Sequence, residues 1–441
     1  MLVFATLIGL VAFANVEIVM NGAVPPDLAW YAGGLVLVAT ITHLFVRFFA
    51  KYADPVLLPC VFLLNGLGLV MIHRIDLSTN RGGGTPMQFV WTMLGIALFV
   101  AVLWFVRDHR VLSRFTYTAG AAGLLLLALP AVLPDALSEI NGAKLWIRLG
   151  PLSFQPGEFA KLLVMVFFAG YLVAKRDVLS LAGRRLLFVD LPRAKDLGPV
   201  LLAWIISLGV LVFERDLGSS LLFFGIFVGM LYIATERVSW LMIGVLLFVG
   251  GAFAAYTFVD RVQMRVDLWL DPFGNKDLLG AGQIIQGLYG FAHGGLTGTG
   301  LGQGRPDLIP FAKSDYIFAA FGEELGLAGA MAILVVYLLV VARGMRIALA
   351  VRDGFGKLLA AGISLALGLQ VFVVVGGVTK LIPLTGLTTP FLSQGGSSLV
   401  ANWALIALLL RISDAARRPV EEKRPDRPDR KAEAATEVIA T

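Results

Sequence analysis

The chain has 441 residues, 58% of them hydrophobic and only 15% charged, with a net charge of +6. Apolar runs near the ~20 residues needed to cross a bilayer recur along its length, which excludes a soluble globular domain. A single cysteine, Cys60 in an apolar run, excludes disulfides within the chain and cysteine-ligated metal sites, and the positive charge has a membrane explanation that needs no nucleic-acid partner.

Met1 leads directly into an apolar run, with no basic n-region and no small-residue cleavage site, so a retained first span is expected. Hydropathy and length predict an all-α polytopic membrane protein of about 12 transmembrane helices, at roughly 1–21, 29–49, 55–73, 87–106, 115–133, 157–174, 197–213, 217–235, 238–259, 316–342, 358–379 and 388–410. Glu214, Arg215 and Asp216 mark a tight turn at the membrane surface. With both termini cytoplasmic, the inner loops and the tail from Arg411 collect about twice as many Lys and Arg as the outer segments. The 260–315 loop then faces outward.

In chain order, the first polar constellation is 144–162. Pro156 suits the first turn of a helix. Glu158 and Lys161, three apart, share a helical face and pair there, either to neutralise each other for insertion or to touch a substrate. Trp146 serves equally as an interfacial anchor or a substrate contact. Arg148, between apolar residues, suits a diphosphate, which its planar fork binds through paired hydrogen bonds.

The 260–315 loop is glycine-rich and too short to bury a core of its own. Apolar residues at 284, 285, 288, 291 and 292 predict a short amphipathic helix lying in the interface. The glycine series at 294–302 that follows lets backbone approach a bulky polar group and lets N–H groups cradle an anion. A flexible linker has the same composition.

The segment 313–326 then puts Asp315 at the mouth of a membrane helix and Glu323 and Glu324 inside it. Carboxylates in hydrocarbon are costly, face the protein interior and mark function by default. Helix capping explains Asp315 and leaves the two deeper acids unexplained, so a working site is the stronger reading. Ala319, Gly322, Gly326 and Ala330 fall on the helical face below Asp315, where small residues admit a neighbouring helix or leave a slot for a lipid chain. Finally, 380–398 carries Pro383, Pro390 and several glycines between apolar flanks. Broken backbone at membrane depth is tolerated where protein or a wet cavity satisfies it. This segment is therefore expected to line a cavity beside the 316–342 helix, with Lys380 opening it and Ser397 and Ser398 in its wall.

The motifs at 155–161 (QPGEFAK), 215–218 (RDLG), 314–318 (SDYIF) with 323–326 (EELG), and 383–386 (PLTG) with 395–398 (GGSS) resemble the SEDS family, the bacterial shape, elongation, division and sporulation proteins of RodA/FtsW type. Arg215 and Gln394 depart from the family's usual Pro and Tyr. The resemblance implies a ten-helix core over 54–414, two extra N-terminal transmembrane helices in 1–53, the extracytoplasmic loop 260–315 within the core and a disordered cytoplasmic tail at 415–441. It implies a peptidoglycan glycosyltransferase that polymerises lipid II at the outer face of the cytoplasmic membrane, releasing polyprenyl diphosphate. Its expected partners are a class B penicillin-binding protein, which supplies the transpeptidase, and other elongasome or divisome proteins. The region around Thr379 and Lys380, with no long division-type N-terminal tail, points to the elongation branch. In this reading Asp315 is the general base on the acceptor sugar hydroxyl. Trp146, Arg148, Glu158, Lys161, Lys380, Ser397 and Ser398 contact substrate, and Asp216, Glu323 and Glu324 support the site. No resident metal is implied, although a divalent cation (Mg or Mn) is compatible with a diphosphate leaving group. The alternatives from other classes are a flippase or transporter of a lipid-linked precursor and a non-enzymatic scaffold of a cell-wall complex.

Overall fold

The structure is a computed structural model and describes residues 1–24, 28–79, 83–140, 143–149, 152–179, 182–186, 189–192, 198–210 and 216–419. The chain begins with α1 (Leu2–Asn21) and α2 (Leu28–Phe49), followed by α3 (Leu57–Thr79), α4 (Gly84–Phe105), α5 (Thr116–Val132) and the single turn α6 (Asp135–Ser138). Then come α7 (Pro156–Leu179), α8 (Gly198–Gly209), α9 (Leu217–Thr235) and α10 (Val238–Phe258). The 260–315 segment contains α11 (Asp260–Leu270) and α12 (Ala281–Gly294), and α13 (Ile317–Ala350), α14 (Gly354–Val378) and α15 (Gly396–Arg417) follow it. Three antiparallel hairpins, which hydropathy did not predict, join the helices: β1 (Glu139–Ile140) with β2 (Ala143–Lys144), β3 (Ile147–Leu149) with β4 (Leu152–Phe154), and β5 (Ala182–Leu186) with β6 (Val189–Pro192).

Among the described residues, eleven helical stretches are long and apolar enough to span a membrane. The remaining expected span, 197–213, falls on α8, whose course beyond 210 lies outside the described residues together with Glu214 and Arg215. The expected tail boundary at 415 falls inside α15, and residues 420–441 also lie outside the description.

Helices that are apolar all round belong in the middle of a bundle. The sides of α15, α14, α3 and α9 are mostly buried, whereas α1, α2, α4 and α10 turn Leu7, Val11, Leu37, Leu94 and Phe253 outward. α4 packs on α15, α13 on α14, α5 on α7 and α1 on α3. At one end of the bundle Arg411, buried in α15, donates to the carbonyls of Phe49 and Leu103 and so caps the C-termini of α2 and α4. Asp353, between α13 and α14, meets His109 at that same end, 2.8 Å away.

The 260–315 segment is more ordered than a glycine-rich loop suggests. Val262 and Leu268 bury the apolar side of α11, a helix absent from the sequence expectation. The expected helix at 283–292 exists as α12, but its buried side is Ala281, Ile284, Gly287, Gly290 and Gly294. It lies on α13, where a Cβ at Gly294 would meet the Gly322 carbonyl oxygen at 2.0 Å. The small-residue face below Asp315 is therefore filled by protein, since a Cβ at Gly322 would meet the Phe291 ring at 2.3 Å.

Candidate active site

α13 is broken at Gly326, whose φ of 67° and ψ of −172° take it out of helix. A break inside an apolar bundle frees backbone groups that hydrocarbon cannot satisfy. The glycine series satisfies them: Thr299 and Gly300 N–H donate to the carbonyls of Glu323 and Glu324, each at 3.0 Å. On the far side of the break, Leu327 and Ala328 N–H donate to the carbonyls of Gly295 and Leu296, at 2.9 and 3.1 Å. The expectation that these glycine N–H groups cradle an anion is thus corrected. They repair a broken helix instead, and Gly298 (φ 84°) is required because a Cβ there would lie 2.2 Å from the Glu324 carbonyl oxygen.

The two deep acids belong to the same repair. Arg74 Nε donates to Glu324 Oε1 at 2.8 Å and Arg74 Nη2 to the Gly304 carbonyl at 2.7 Å, while Gly302 N–H donates to Glu324 Oε2 at 2.9 Å. Arg305 N–H donates to Glu323 Oε1 at 2.9 Å. Glu323 and Glu324 therefore fasten the loop to α13 and do not face the Asp315 cavity. Arg74, counted with the outer loops by charge, is buried in α3. A lone arginine inside the 57–79 apolar run was the signal for it.

Asp315 does not cap α13, whose N-cap is Tyr316 with no side-chain cap bond. Its carboxyl lines a cavity of about 330 Å³ with Arg261, Arg265, Gln283, Phe311 and Gly386. Burial pushes this carboxyl up to about 7, against the pull of Arg265 and the Ser314 hydroxyl and with the help of Asp216. Arg265 Nη1 donates to the carbonyls of Leu384 and Thr385 at 2.9 and 2.8 Å, which aims the rest of the guanidinium at the cavity. Asp216 caps α9 by accepting from Gly218 and Ser219 N–H at 2.9 and 3.1 Å. Burial raises its carboxyl as well, while the hydrogen bonds to Ser219 and the charge of Arg265 act in the opposite direction.

The segment between α14 and α15 forms the adjacent wall. It is non-helical through Pro383 and Pro390, and Ser393 Oγ donates to the Ser314 carbonyl at 2.6 Å while Gln394 N–H donates to that of Lys313 at 2.7 Å. Lys313 itself pairs with Asp76 of α3. Behind this wall and α11, an apolar groove of about 310 Å³ is lined by Trp204, Leu217, Phe224, Phe248, Val262 and Pro383.

The remaining expected residues divide into two groups. Glu158 and Lys161 pair at 2.9 Å in the bundle interior, and Lys161 also donates to Gln370 Oε1 at 2.9 Å. Gln370 Nε2 reaches the Thr388 carbonyl at 2.9 Å, Thr388 Oγ1 donates to Ser398 Oγ at 3.0 Å, and Ser397 Oγ accepts from Gln155 N–H at 2.9 Å. Glu158, Lys161 and Ser398 thus belong to one network that braces the wall segment, and Ser397 ties the same segment to the residue before α7. Arg148, exposed on β3, half-buried Trp146 and Lys380 do not line the Asp315 cavity. Lys380 Nζ instead donates to the Leu270 carbonyl at 3.3 Å, at the C-terminus of α11. Among the described residues, the cations that line the cavity are Arg261 and Arg265, four apart on an amphipathic stretch, a pattern legible in the sequence once 260–270 is taken as a helix. One carboxylate and two guanidinium groups suit an anion and not a resident divalent cation. Among the described residues no group of three or more His, Cys, Asp and Glu side chains converges on a metal-sized point.

Comparison with known proteins agrees with this architecture. The family model for cell cycle proteins of FtsW, RodA and SpoVE type matches residues 55–418. The chain is 53% identical over 444 residues to the peptidoglycan glycosyltransferase RodA of Mycobacterium tuberculosis (strain ATCC 25618 / H37Rv), covering 100% of this chain and 94% of that protein. It is 37% identical over 373 residues to the stage V sporulation protein E of Bacillus subtilis (strain 168), covering 82% and 98%. Among solved structures it resembles a chain of a peptidoglycan synthase complex that coordinates polymerization and crosslinking, with a TM-score of 0.67 at 28% identity over 83% of this chain and 99% of that one. The rod shape determining protein RodA of Thermus thermophilus gives a TM-score of 0.58 at 27% identity over 83% and 98%. The chain belongs to the FtsW/RodA/SpoVE family of cell cycle proteins.

Proposed function

We propose that this multi-pass membrane protein is a peptidoglycan glycosyltransferase that polymerises lipid II at the outer face of the cytoplasmic membrane, with both termini cytoplasmic. The observation that carries the reading is the Asp315 carboxyl facing a cavity walled by two arginines at the lip of an apolar bundle, where burial pushes it up to about 7. A base whose pKa lies near the working pH is ionised in a substantial fraction of molecules and still basic enough to accept a proton. Asp315 takes the proton of the acceptor sugar hydroxyl as its oxygen attacks the anomeric carbon of the donor. The bond from that carbon to the diphosphate oxygen breaks, and Arg265 and Arg261 stabilise the departing negative charge in a partly dry site. The apolar groove behind α11 suits the polyprenyl chain that stays in the bilayer. In this reading Arg148 on β3 and Trp146 just before it meet the more distant parts of such a substrate.

The similarity to a chain of a peptidoglycan synthase complex supports a partner in cell-wall synthesis. A class B penicillin-binding protein is the partner we infer, in cell elongation. The break in α13 favours a transporter, because discontinuous helices form transporter sites. Here, however, the freed groups at the break are bonded to the glycine series. The test is purified protein, with and without its partner, given lipid II: polymer with the native chain and none with Asp315→Asn is expected, and no polymer under any condition overturns the enzyme reading.

A further inference from the structure

Two titratable groups, buried Glu17 and partly buried His73, take no part in the chemistry above. Glu17 sits in α1, a helix whose Phe4, Leu7, Ile8 and Val11 face outward, yet its own side chain is 9% exposed. Its Oε1 lies 2.6 Å from His73 Nε2 of α3, and Asn21 Nδ2 donates to its Oε2 at 2.6 Å. A carboxylate inside an apolar span is costly, and apolar packing would hold two helices together at lower cost. What a polar pair adds is direction, because it specifies one rotation and one height of α1 against α3.

That rotation has a consequence for the loop. The ring of Phe13 stacks on His73 with centroids 4.7 Å apart, and Phe13, Val16 and Val70 form an apolar cluster against which Leu301 packs. A Cβ at Gly302 would lie 3.0 Å from Val19 Cγ1 and 3.8 Å from Val16 Cα, so α1 presses directly on the loop backbone. Gly302 N–H is the donor to Glu324 Oε2, and Arg74, next to His73 on α3, grips both Glu324 and the Gly304 carbonyl. α1 and α3 thus clamp the 301–304 turn from two sides, and that turn belongs to the series that bridges the break in α13 below Asp315.

We propose that Glu17 is a positioning residue for the transferase site: by fixing α1 on His73, it seats the loop that holds the outer half of α13, and with it Asp315, in register. This inference rests on the glycosyltransferase reading. It also assigns α1, which precedes the 55–418 family match, a part in the reaction.

The experiment reconstitutes the full chain with its transpeptidase partner in liposomes and follows polymerisation of lipid II. Hydrogen exchange of the 298–303 amides is measured on the same samples. Glu17→Ala is expected to lower kcat on the order of 10- to 100-fold, as small misplacements of reacting groups do, with KM little changed. The 298–303 amides should exchange faster in parallel. Glu17→Gln keeps an acceptor for His73 and is expected to recover most of the rate. Glu17→Leu combined with His73→Phe removes both polar partners, which restores apolar packing and safeguards folding; it is expected to insert normally and to share the kcat defect. Native kcat in Glu17→Ala, no recovery by Glu17→Gln, or a defect with unchanged loop exchange would each overturn the proposal. Absence of polymer from the native chain would instead overturn the enzyme reading.

Discussion

Arg265 and Asp315 converge on Gly386: a Cβ built on that glycine would lie 3.4 Å from Arg265 Nη2 and 3.7 Å from Asp315 Oδ2. Base and cation thus share one small opening, over a residue whose φ of 79° favours glycine. Arg265 reaches this point from α11, Gly386 from the α14–α15 connection and Asp315 from the turn before α13. No two of these elements adjoin in sequence: the hydrogen bonds of Arg265 to Leu384 and Thr385 join α11 to the connection, and those of Ser393 and Gln394 to the carbonyls of Ser314 and Lys313 join the connection to the turn.

The raised carboxyl of Asp315 has two consequences of opposite sign. Activity is expected to rise with pH through about 7, as the base ionises. Stability moves the other way. A carboxyl whose folded pKa exceeds its unfolded value of 3.8 favours folding fully below that value, and the contribution is lost as pH rises towards about 7. Asp315→Asn, neutral at every pH, should therefore lose polymerisation while gaining stability at pH 8, up to about 4 kcal/mol for a shift of this size. Glycan synthesis and thermal unfolding of the two proteins across pH 5–9 measure both; a variant that is inactive and also less stable at pH 8 contradicts the assignment.

Arg74 and Glu324, 250 residues apart, form a pair with side chains 2% and 0% exposed. Arg74→Met leaves a buried carboxylate with one backbone donor, and a cost of about 3–5 kcal/mol is expected. The unfolding midpoint should fall, and protease access to the 295–305 loop should increase before the bundle melts. Loss of activity with an unchanged midpoint would show that the pair does not hold the loop.

Glycines in the 260–315 segment should differ sharply in tolerance. Gly298→Ala forces a Cβ to 2.2 Å from the Glu324 carbonyl oxygen at a φ of 84°, with an expected cost of at least about 2 kcal/mol and loss of polymerisation. Gly282→Ala, on an open face of α12 with nothing within 4 Å of its Cβ, should gain about 0.5–1 kcal/mol from helix propensity. Parallel thermal unfolding of the two variants is the check, and equal behaviour would refute the repair of α13 by backbone.

At the opposite end of the bundle, burial works against ionisation of Asp353, but hydrogen bonds from His109 and Gly356 N–H outweigh it and hold the carboxyl at about 2. Its folded pKa lies below the unfolded 3.8, so its contribution is complete above about pH 4 and is lost as pH falls towards 2. Asp353→Asn should cost about 1 kcal/mol at pH 7, allowing for its partial exposure, and should flatten the acid limb of the stability curve. Unfolding midpoints between pH 7 and pH 3 test this.

The amino-acid sequence alone determined the membrane class, the order of the spans, the motifs at 155–161 and 314–326, and the broken stretch through Pro383 and Pro390. All of these are local properties, because hydropathy over ~20 residues decides whether a segment enters the bilayer and proline and glycine decide where a helix stops. Only the tertiary structure decided which charges meet. Glu323 and Glu324 read as acids of the working site until Arg305 N–H was found on Glu323, and Arg74 and Gly302 N–H on Glu324. Arg148 read as the diphosphate-binding cation, and Lys380 as the opening of the cavity, until α11 was found to carry Arg261 and Arg265 to it. The glycine series read as a linker or an anion cradle until its N–H groups were matched to the gap at Gly326. A buried charge or freed carbonyl must find a partner, but its place in the sequence does not specify which one, because that depends on how distant helices pack around α15.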